Sequence, residues 1–140
     1  MWTAAPWLMH SSGGARWVEQ NYGEYDMTDC IFCKIAAGEI PADILYENED
    51  VLAFRDLNPQ APTHVLVIPR RHISTLNDLQ PEDAELVGKM SLAAKTVARQ
   101  EGIAEEGYRT VFNCNAGAGQ TVFHIHMHVL GGRPMHWPPG

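Results

Sequence analysis

The sequence has little positive charge, few cysteines and no long hydrophobic run. Its 140 residues carry 10 lysines and arginines against 17 acidic residues, which gives a formal net charge of -7. A chain without a basic surface is a poor ligand for backbone phosphates, so we expect no nucleic-acid polymer among its partners. No segment approaches the roughly 18 apolar residues that cross a bilayer, and no secretion signal opens the chain. We therefore expect a soluble protein without membrane contact.

The cysteines are too few, and odd in number, for a disulfide framework. Cys30 and Cys33 form a Cys-x-x-Cys pair, and Cys114 stands apart from them. This usage favours a reducing, cytoplasmic setting and a metal site. If the pair begins a helix, the i, i+3 spacing places both thiols on one face, and a closed structural zinc site then needs two further ligands. Two buried thiols without a metal are the alternative.

The chain is predicted to consist of an extension and one domain. Residues 1–26 show neither helical nor strand periodicity and contain a proline and a glycine pair, so we expect them to be disordered or loosely packed. Met27 is a second candidate start. Residues 27–140 are long enough to bury a core of their own and are predicted to form a single domain.

The patterning within this domain predicts an α+β fold with a five-stranded antiparallel sheet. Asp29 is predicted to cap a short helix that runs to Ala37, and Gly38 supplies its left-handed stop. Pro81 opens the one long helix, which ends before Gly102. The predicted strands lie at residues 43–47, 51–56, 63–68, 108–114 and 122–130.

The stretch TVFHIHMHVLGG places a histidine at every second position of an apolar run. On a strand, His124, His126 and His128 would share one face while the apolar residues between them face the core. Alternate Cα atoms lie roughly 6.5 to 7 Å apart, so adjacent pairs suit one metal ion and all three only with bending. Two other interpretations are that the histidines take part in covalent chemistry or that they lie on a solvated face. A solvated face is a poor explanation for three histidines in register.

The segment NAGAGQT, directly before the histidines, suits a phosphate group. Its small residues expose backbone N–H groups, and Asn113, Gln120 and Thr121 add polar side chains nearby. A neutral imidazole next to a bound phosphate can attack phosphorus, and an ordinary histidine pKa of about 6.5 leaves the ring unprotonated at pH 7. The arrangement therefore favours nucleotidyl transfer through a phosphohistidine.

Several motifs in order resemble a known family. HIHMHVL resembles the signature of the histidine triad (HIT) superfamily, and DLNPQAPTHVLVIPRRHIS and GGRPMHWPPG resemble its Hint branch, the histidine triad nucleotide-binding proteins. The resemblance implies a HIT-like fold and a homodimer whose sheet continues across both protomers. It also implies hydrolysis of purine nucleoside 5′-phosphoramidates, such as AMP joined to an amine or lysine, without a catalytic metal.

The resemblance implies a role for each matching residue. His126 would attack the α-phosphorus and form a nucleotidyl-enzyme that water then hydrolyses. His128 would contact the phosphate oxygens, His64 would complete the histidine cluster, and Asp56 would accept the ribose hydroxyls. The other implied nucleotide-binding residues are Asn113, Thr121 and the backbone of Gly119 and Gln120 at the phosphate, with Phe32, Ile35, Phe54 and Leu57 at the base.

The resemblance also covers the loop and the C-terminus. Thr121 stands where the branch often has serine, and Asn115 and Ala118 stand where it often has glycine. MHWPPG resembles a segment that reaches the partner's active site, with His136 and Trp137 as the contacting residues.

The resemblance further suggests ligands that would complete a zinc site. Members with a Cys-x-x-Cys pair resemble the related uridylyltransferases, in which two histidines supply the missing ligands. Those positions here are His72, shortly after the third strand, and His124, the first histidine of the triad. We expect one structural zinc on Cys30, Cys33, His72 and His124, which would tie the first helix to the catalytic strand.

Three other functions stay open at this point. A dinucleoside polyphosphate hydrolase usually has glutamine as the last motif residue, where this chain has His128. A nucleotide-binding or regulatory module would turn over nucleotides only incidentally. A metal-dependent hydrolase that uses the histidine run would lose its activity at once when a chelator is added.

Overall fold

The structure, a computed structural model, describes residues 29–140. The predicted extension, residues 1–26, and the candidate start at Met27 lie outside the described residues. The described chain divides into two compact units. The first comprises residues 29–41, 71–84 and 113–125, and the second comprises residues 42–70, 85–112 and 126–140. A single domain over residues 27–140 stays a prediction.

The second unit contains a five-stranded antiparallel sheet. Its strands are β1 (Ile44–Glu47), β2 (Val51–Arg55), β3 (Thr63–Pro69), β4 (Tyr108–Phe112) and β5 (Met127–Gly131). They lie in the order β1-β2-β3-β5-β4, so β3 is central and β4 lies at an edge. β3 is buried along its whole length, which fits its β-branched composition. The predicted α+β class is confirmed, and the first four strands lie within two residues of their predicted bounds.

A long helix accompanies the sheet. α2 (Ala84–Gln100) follows a 3₁₀ turn at Pro81–Asp83 and ends before Gly102, as predicted. Arg55 of β2 donates two hydrogen bonds to the carboxylate of Glu101, at 2.8 and 3.2 Å, and so fixes the end of the helix to the sheet. The buried face of α2 has helical spacing and consists of Met90, Ala93, Ala94, Val97 and Ala98. Within residues 29–140, no helix has the length and apolar character needed to cross a bilayer.

β5 is shorter than the sequence predicts. The strand begins at Met127, so His128 lies in it while the other two histidines of the run precede it. Just before the strand, the backbone N–H of Ile125 donates to the carbonyl of Ile73 at 2.7 Å, which is a bond outside the sheet ladder. The prediction that His124, His126 and His128 share one face of a regular strand is therefore wrong. Only the apolar part of the pattern is confirmed, because the alternate apolar residues are buried.

The first unit begins with the short helix α1 (Ile31–Ala36). Its N-cap is Cys30, whose thiol accepts a hydrogen bond from the backbone N–H of Cys33 at 3.3 Å. The predicted cap, Asp29, is therefore wrong by one position. Gly38, with φ of 79°, ends the helix as predicted. The cap matters because it places both thiols of the Cys-x-x-Cys pair at the first turn of α1.

Candidate functional site

Four side chains of the second unit, Asp56, His64, His126 and His128, form what we call the histidine cluster. Leu66 of β3 pairs with His128 of β5, so His64, two residues earlier on β3, is the diagonal neighbour of His128 on the same face. His64 Nε2 lies 2.9 Å from His128 Nδ1 and 3.3 Å from Asp56 Oδ2. The rings of His126 and His128 lie 5.1 Å apart between centroids. The sheet register thus brings His64 and His128 together, and His126, just before β5, lies beside His128.

Hydrogen bonds indicate which nitrogen carries the proton in His64 and in His128. The backbone N–H of Gln60 donates to His64 Nδ1 at 3.0 Å, so in neutral His64 the proton is on Nε2. That Nε2–H then donates to His128 Nδ1. The proton of neutral His128 is therefore on Nε2, which makes this atom an N–H donor.

Burial keeps two of these rings neutral. Desolvation lowers the pKa of His64, although the nearby Asp56 carboxylate acts in the opposite direction. Desolvation, together with His126 and His64, lowers the pKa of His128 to about 4. His126 is also buried, with 8% of its surface exposed. An imidazole can offer a lone pair to phosphorus, and a neutral ring such as His128 can offer an N–H group to a phosphate oxygen.

Asp56 is held in place directly after β2. Its Oδ1 accepts the backbone N–H of Asn58 at 2.8 Å, and its own backbone N–H donates to the carbonyl of His64 at 3.0 Å. Its side chain keeps 19% exposure. A carboxylate that is fixed but still accessible can accept further hydrogen bonds from a ligand.

Four side chains of the first unit, Cys30, Cys33, His72 and His124, form a second group, the thiol cluster. Cys30 Sγ lies 3.4 Å from His124 Nδ1, Cys33 Sγ lies 3.4 Å from His72 Nδ1, and the two Nδ1 atoms are 3.2 Å apart. All four donor atoms lie within 4.8 Å of one another. A tetrahedral zinc ion with bonds of about 2.0 to 2.3 Å separates its donor atoms by about 3.3 to 3.8 Å. The four residues therefore fit a zinc ion in both donor type and spacing.

The two thiols of this cluster differ in their pKa. The pKa of Cys30 is lowered, first by the hydrogen bond from the Cys33 thiol and further by His124 and His72. The pKa of Cys33 is raised by that same bond to Cys30 and by burial. The pair thus favours one thiolate, which is the form of cysteine that binds metals. The ring of Phe32 lies edge-on to that of His124, with 5.9 Å between the centroids.

The arrangement matches a known family. A model of the HIT domain matches residues 37–135 of this chain. The chain belongs to the HIT domain family. Among its relatives, the purine nucleoside phosphoramidase of Escherichia coli (strain K12) is 53% identical over 107 residues, which is 76% of this chain and 90% of that protein. The predicted family resemblance is confirmed.

Solved structures of HIT proteins share the fold. A HIT family hydrolase from Legionella pneumophila Philadelphia 1 is 57% identical, with a TM-score of 0.79 over 80% of this chain and 100% of that one. A histidine triad protein from Clostridium difficile is 41% identical, with a TM-score of 0.77 over 80% of this chain and 97% of that one. The described elements of this HIT chain are thus those of its family.

The residues predicted to contact the base lie in different settings. Phe32 and Ile35 are buried in the first unit, and Phe54 is buried in the second. Leu57 is 99% exposed. The three buried residues are ordinary core residues of their units, and a contact of any of the four with a base stays a prediction.

The loop 113–121 of the first unit is closed by its own hydrogen bonds. The N–H of Gly119 donates to the carbonyl of Ala116 at 3.0 Å, and the N–H of Gln120 donates to the carbonyl of Asn115 at 3.1 Å. Both predicted backbone donors therefore have acceptors inside the loop. A contact of Gly119, Gln120, Asn113 or Thr121 with a phosphate stays a prediction.

The backbone at Asn115 adopts a conformation that favours glycine. Its φ of 70° and ψ of 178° lie in a region that is populated almost only by glycine. Asparagine is among the residues that tolerate a positive φ most readily. The loop therefore keeps the backbone path of a glycine at the expense of local strain.

Sequence reasoning missed the role of the Gln120 side chain. It is 5% exposed, its Nε2 donates to the carbonyls of Ser74 at 2.9 Å and Val122 at 3.0 Å, and its Oε1 accepts the N–H of Asn115 at 2.7 Å. Gln120 and Ser74 are 46 residues apart in sequence, so no local pattern indicates the contact. The only available signal is a glutamine in an otherwise small-residue loop.

The C-terminal segment lies against β4 in the described chain. Arg109 donates to the carbonyl of His136 at 3.0 Å and lies 5.8 Å from the centre of the Trp137 ring. Trp137 is nevertheless 80% exposed. A contact of His136 and Trp137 with a partner's active site stays a prediction.

Proposed function

We propose that this HIT protein hydrolyses purine nucleoside 5′-phosphoramidates, of the type AMP-amine or AMP-lysine, and releases the nucleoside monophosphate and the amine. The observation that carries the proposal is the geometry of the histidine cluster, in which His126 lies beside the N–H donor of His128. The 53% identity to a protein named purine nucleoside phosphoramidase supports the substrate class.

The reaction proceeds in two displacements at the same phosphorus. In the first, His126 forms a bond to the α-phosphorus, the phosphorus bond to the substrate nitrogen breaks, and the amine leaves after taking up a proton. In the second, water attacks the phosphorus of the nucleotidyl-histidine and releases one proton, which balances the proton taken up by the amine, and the bond between His126 and phosphorus breaks. The nucleoside monophosphate leaves and His126 is regenerated.

The other members of the histidine cluster assist without forming bonds to phosphorus. Nε2–H of His128 donates to a phosphate oxygen and stabilises the charge that develops in each transition state. His64 holds His128 in the tautomer that makes this donation possible. Asp56 accepts the ribose hydroxyls. Asn113 and Thr121 contact the phosphate, and the resemblance to the family supports these last roles.

The thiol cluster is proposed to hold a structural zinc ion. The ion would contribute stability by joining α1 to the segments that carry His72 and His124, all within the first unit. None of its four ligands takes part in the steps at phosphorus, so we propose that the reaction requires no catalytic metal.

We also propose an assembly and a cellular setting, which the edge strand and the free thiols support. We propose that residues 27–140 act as one HIT domain and that two copies form a homodimer by pairing at β4, which lies at the edge of the sheet. The reduced thiols of the thiol cluster support a cytoplasmic setting. Sedimentation that gives the mass of a single chain at micromolar concentration would contradict the dimer.

The function is tested by turnover of defined substrates. Wild-type protein and the His126→Ala variant are incubated with an AMP-amine phosphoramidate, and AMP release is followed by chromatography. We expect release by the wild type alone. Faster cleavage of a dinucleoside polyphosphate would favour that hydrolase class instead, and tight AMP binding without turnover of either compound would favour a regulatory module.

A further inference from the structure

We propose that Ser74 and Gln120 couple the thiol cluster to the loop 113–121, so that a metal ion in the cluster orders this loop and strengthens nucleotide binding. The inference rests on the proposed function for its ligand, because AMP is taken as the group that the loop binds. Every contact on which it depends lies within the first unit. The side chains of Ser74 and Gln120 act as positioning groups in this account, since they are assigned no contact with the reacting atoms.

The first link joins His72 to Ser74. His72 Nδ1 faces the other donor atoms of the thiol cluster, while its Nε2 lies 3.3 Å from the Ser74 hydroxyl. When Nδ1 is a metal ligand, the ring proton is on Nε2 and is donated to Ser74. Such outer hydrogen bonds fix the ring of a ligating histidine, and their loss typically weakens metal binding by about 10- to 100-fold.

The second link joins residues 73–74 to the end of the loop and to the segment that follows it. The carbonyl of Ser74 accepts Gln120 Nε2 at 2.9 Å, and the carbonyl of Ile73 accepts the N–H of Ile125 at 2.7 Å. Residues 73–74 are thus held to residues 120–125 by two hydrogen bonds. A shift of the His72 side chain is therefore passed to Gln120 through a short, continuous path.

The third link is the buried amide of Gln120 itself. Its Oε1 accepts a hydrogen bond from the N–H of Asn115, the strained residue at the start of the tight turn. Its Nε2 also donates to the carbonyl of Val122. If the buried Gln120 amide loses these partners, its donor and acceptor groups stay unsatisfied away from water, which destabilises this loop conformation. The conformation of the loop therefore depends on the position of Gln120.

The coupling predicts that metal and nucleotide strengthen each other's binding. Coupling between two sites is reciprocal and commonly changes affinity by about fivefold or more. Removing the metal should weaken AMP binding by about fivefold, and AMP should tighten metal binding by the same factor. Replacing Gln120 should remove this dependence while leaving the four metal ligands in place.

The central test is calorimetric titration of AMP into zinc-loaded and metal-stripped protein, for the wild type and for Gln120→Met. Gln100→Met, at the exposed end of α2, is the matched control. We expect about fivefold weaker AMP binding on stripping in the wild type and the control, but none in Gln120→Met, with zinc stoichiometry unchanged. An equal metal dependence in Gln120→Met and the wild type would overturn the proposal.

A second test needs neither metal-stripped protein nor AMP. Zinc affinity is measured by competition with a chromophoric chelator for Ser74→Ala and for Ser91→Ala, an exposed serine of α2. We expect about tenfold weaker zinc binding in Ser74→Ala alone, with faster amide hydrogen exchange in the loop 113–121. Equal zinc affinity and equal hydrogen exchange in the two variants would overturn the coupling. This outcome counts even if removal of the metal unfolds the chain in the first test. Failure of the wild type to hydrolyse a phosphoramidate would contradict the proposed function and leave this result unaffected.

Discussion

The thiol cluster and the histidine cluster both contain histidines, but the rings have different partners and suit different chemistry. In the thiol cluster, two Nδ1 atoms and two sulfur atoms converge on one point, an arrangement that suits a cation. In the histidine cluster, the short contact between His64 and His128 joins a donor to an acceptor, an arrangement that suits neutral rings. Asp56, His64 and His128 also offer three close donor atoms for a metal, but hydrogen bonds account for their spacing.

The difference shows that neighbouring atoms, and not the repeating motif, decide what each histidine does. His124 has cysteine sulfurs as partners, whereas His128 has a second imidazole and, through it, a carboxylate. We therefore expect substitutions in the thiol cluster to change metal content and stability, and substitutions in the histidine cluster to change rate.

The largest expected effect is on rate, from His126→Ala. Loss of the nucleophile should lower kcat/KM for an AMP-amine phosphoramidate by about 10⁴-fold or more, because no other group forms the covalent bond. Zinc content should stay that of the wild type. The measurement is AMP release under saturating and limiting substrate, with His126→Gln as a variant that keeps a polar side chain. A fall in kcat/KM of less than tenfold in both variants would show that His126 is not the nucleophile.

The next effect is on stability, from Cys30→Ser. Serine keeps the cap on α1 but is a poor zinc ligand, so the protein should lose its metal and its Tm should fall by about 10 °C or more. Elemental analysis and calorimetry measure both, and Cys114→Ser, outside the cluster, is the control. A chelator should likewise lower Tm before it lowers rate. Immediate loss of activity on chelation would instead support a metal-dependent hydrolase.

A smaller effect is expected on the pH dependence of stability. Because burial lowers the pKa of His128 to about 4, the unfolded chain binds more protons than the folded chain between about pH 4 and 6.5. This neutral histidine therefore makes folding less favourable as pH falls through that window. The Tm of the wild type should fall by more than that of His128→Gln between pH 7 and pH 4. Parallel curves for the two proteins would show that His128 titrates normally.

The smallest effect is expected from Asn115→Gly. Relief of the strained backbone should raise the free energy of unfolding by up to about 1 kcal/mol, partly offset by the flexibility of glycine in the unfolded chain. Turnover should change by less than about twofold. Denaturant titration measures the stability, and Ala118→Gly, where φ is not positive, should be neutral or destabilising. A less stable Asn115→Gly would show that the side chain has a role of its own.

The sequence predicts the fold well because the signals are local. Helix α2, the first four strands and the stop at Gly38 follow from periodicity, prolines and glycine. The start of β5 does not, because a bond between Ile125 and Ile73 takes the chain out of the ladder before Met127. The cap of α1 was misplaced because aspartate is usually the better cap than the cysteine beside it.

The candidate site is harder to predict from the sequence alone than the fold is. Periodicity places three histidines on one face and cannot separate them, and the resemblance to the family was needed to pair His124 with His72 and the two cysteines. The hydrogen bond from the Gln120 side chain reaches Ser74, which is 46 residues away in sequence. The tautomer of His128 depends on Gln60 through His64. Such contacts arise from tertiary packing, which local propensities do not encode.

The three histidines of the run are assigned different roles, and locating the covalent intermediate tests this assignment most directly. Zinc-loaded wild-type protein is mixed with an AMP-amine phosphoramidate, quenched within one turnover, digested under conditions that preserve phosphohistidine, and mapped by mass spectrometry. The account predicts one adenylyl group per active chain, on His126, with His124 unmodified. An adduct on His124 or His128, or rapid AMP release with no adduct at any time, would contradict it.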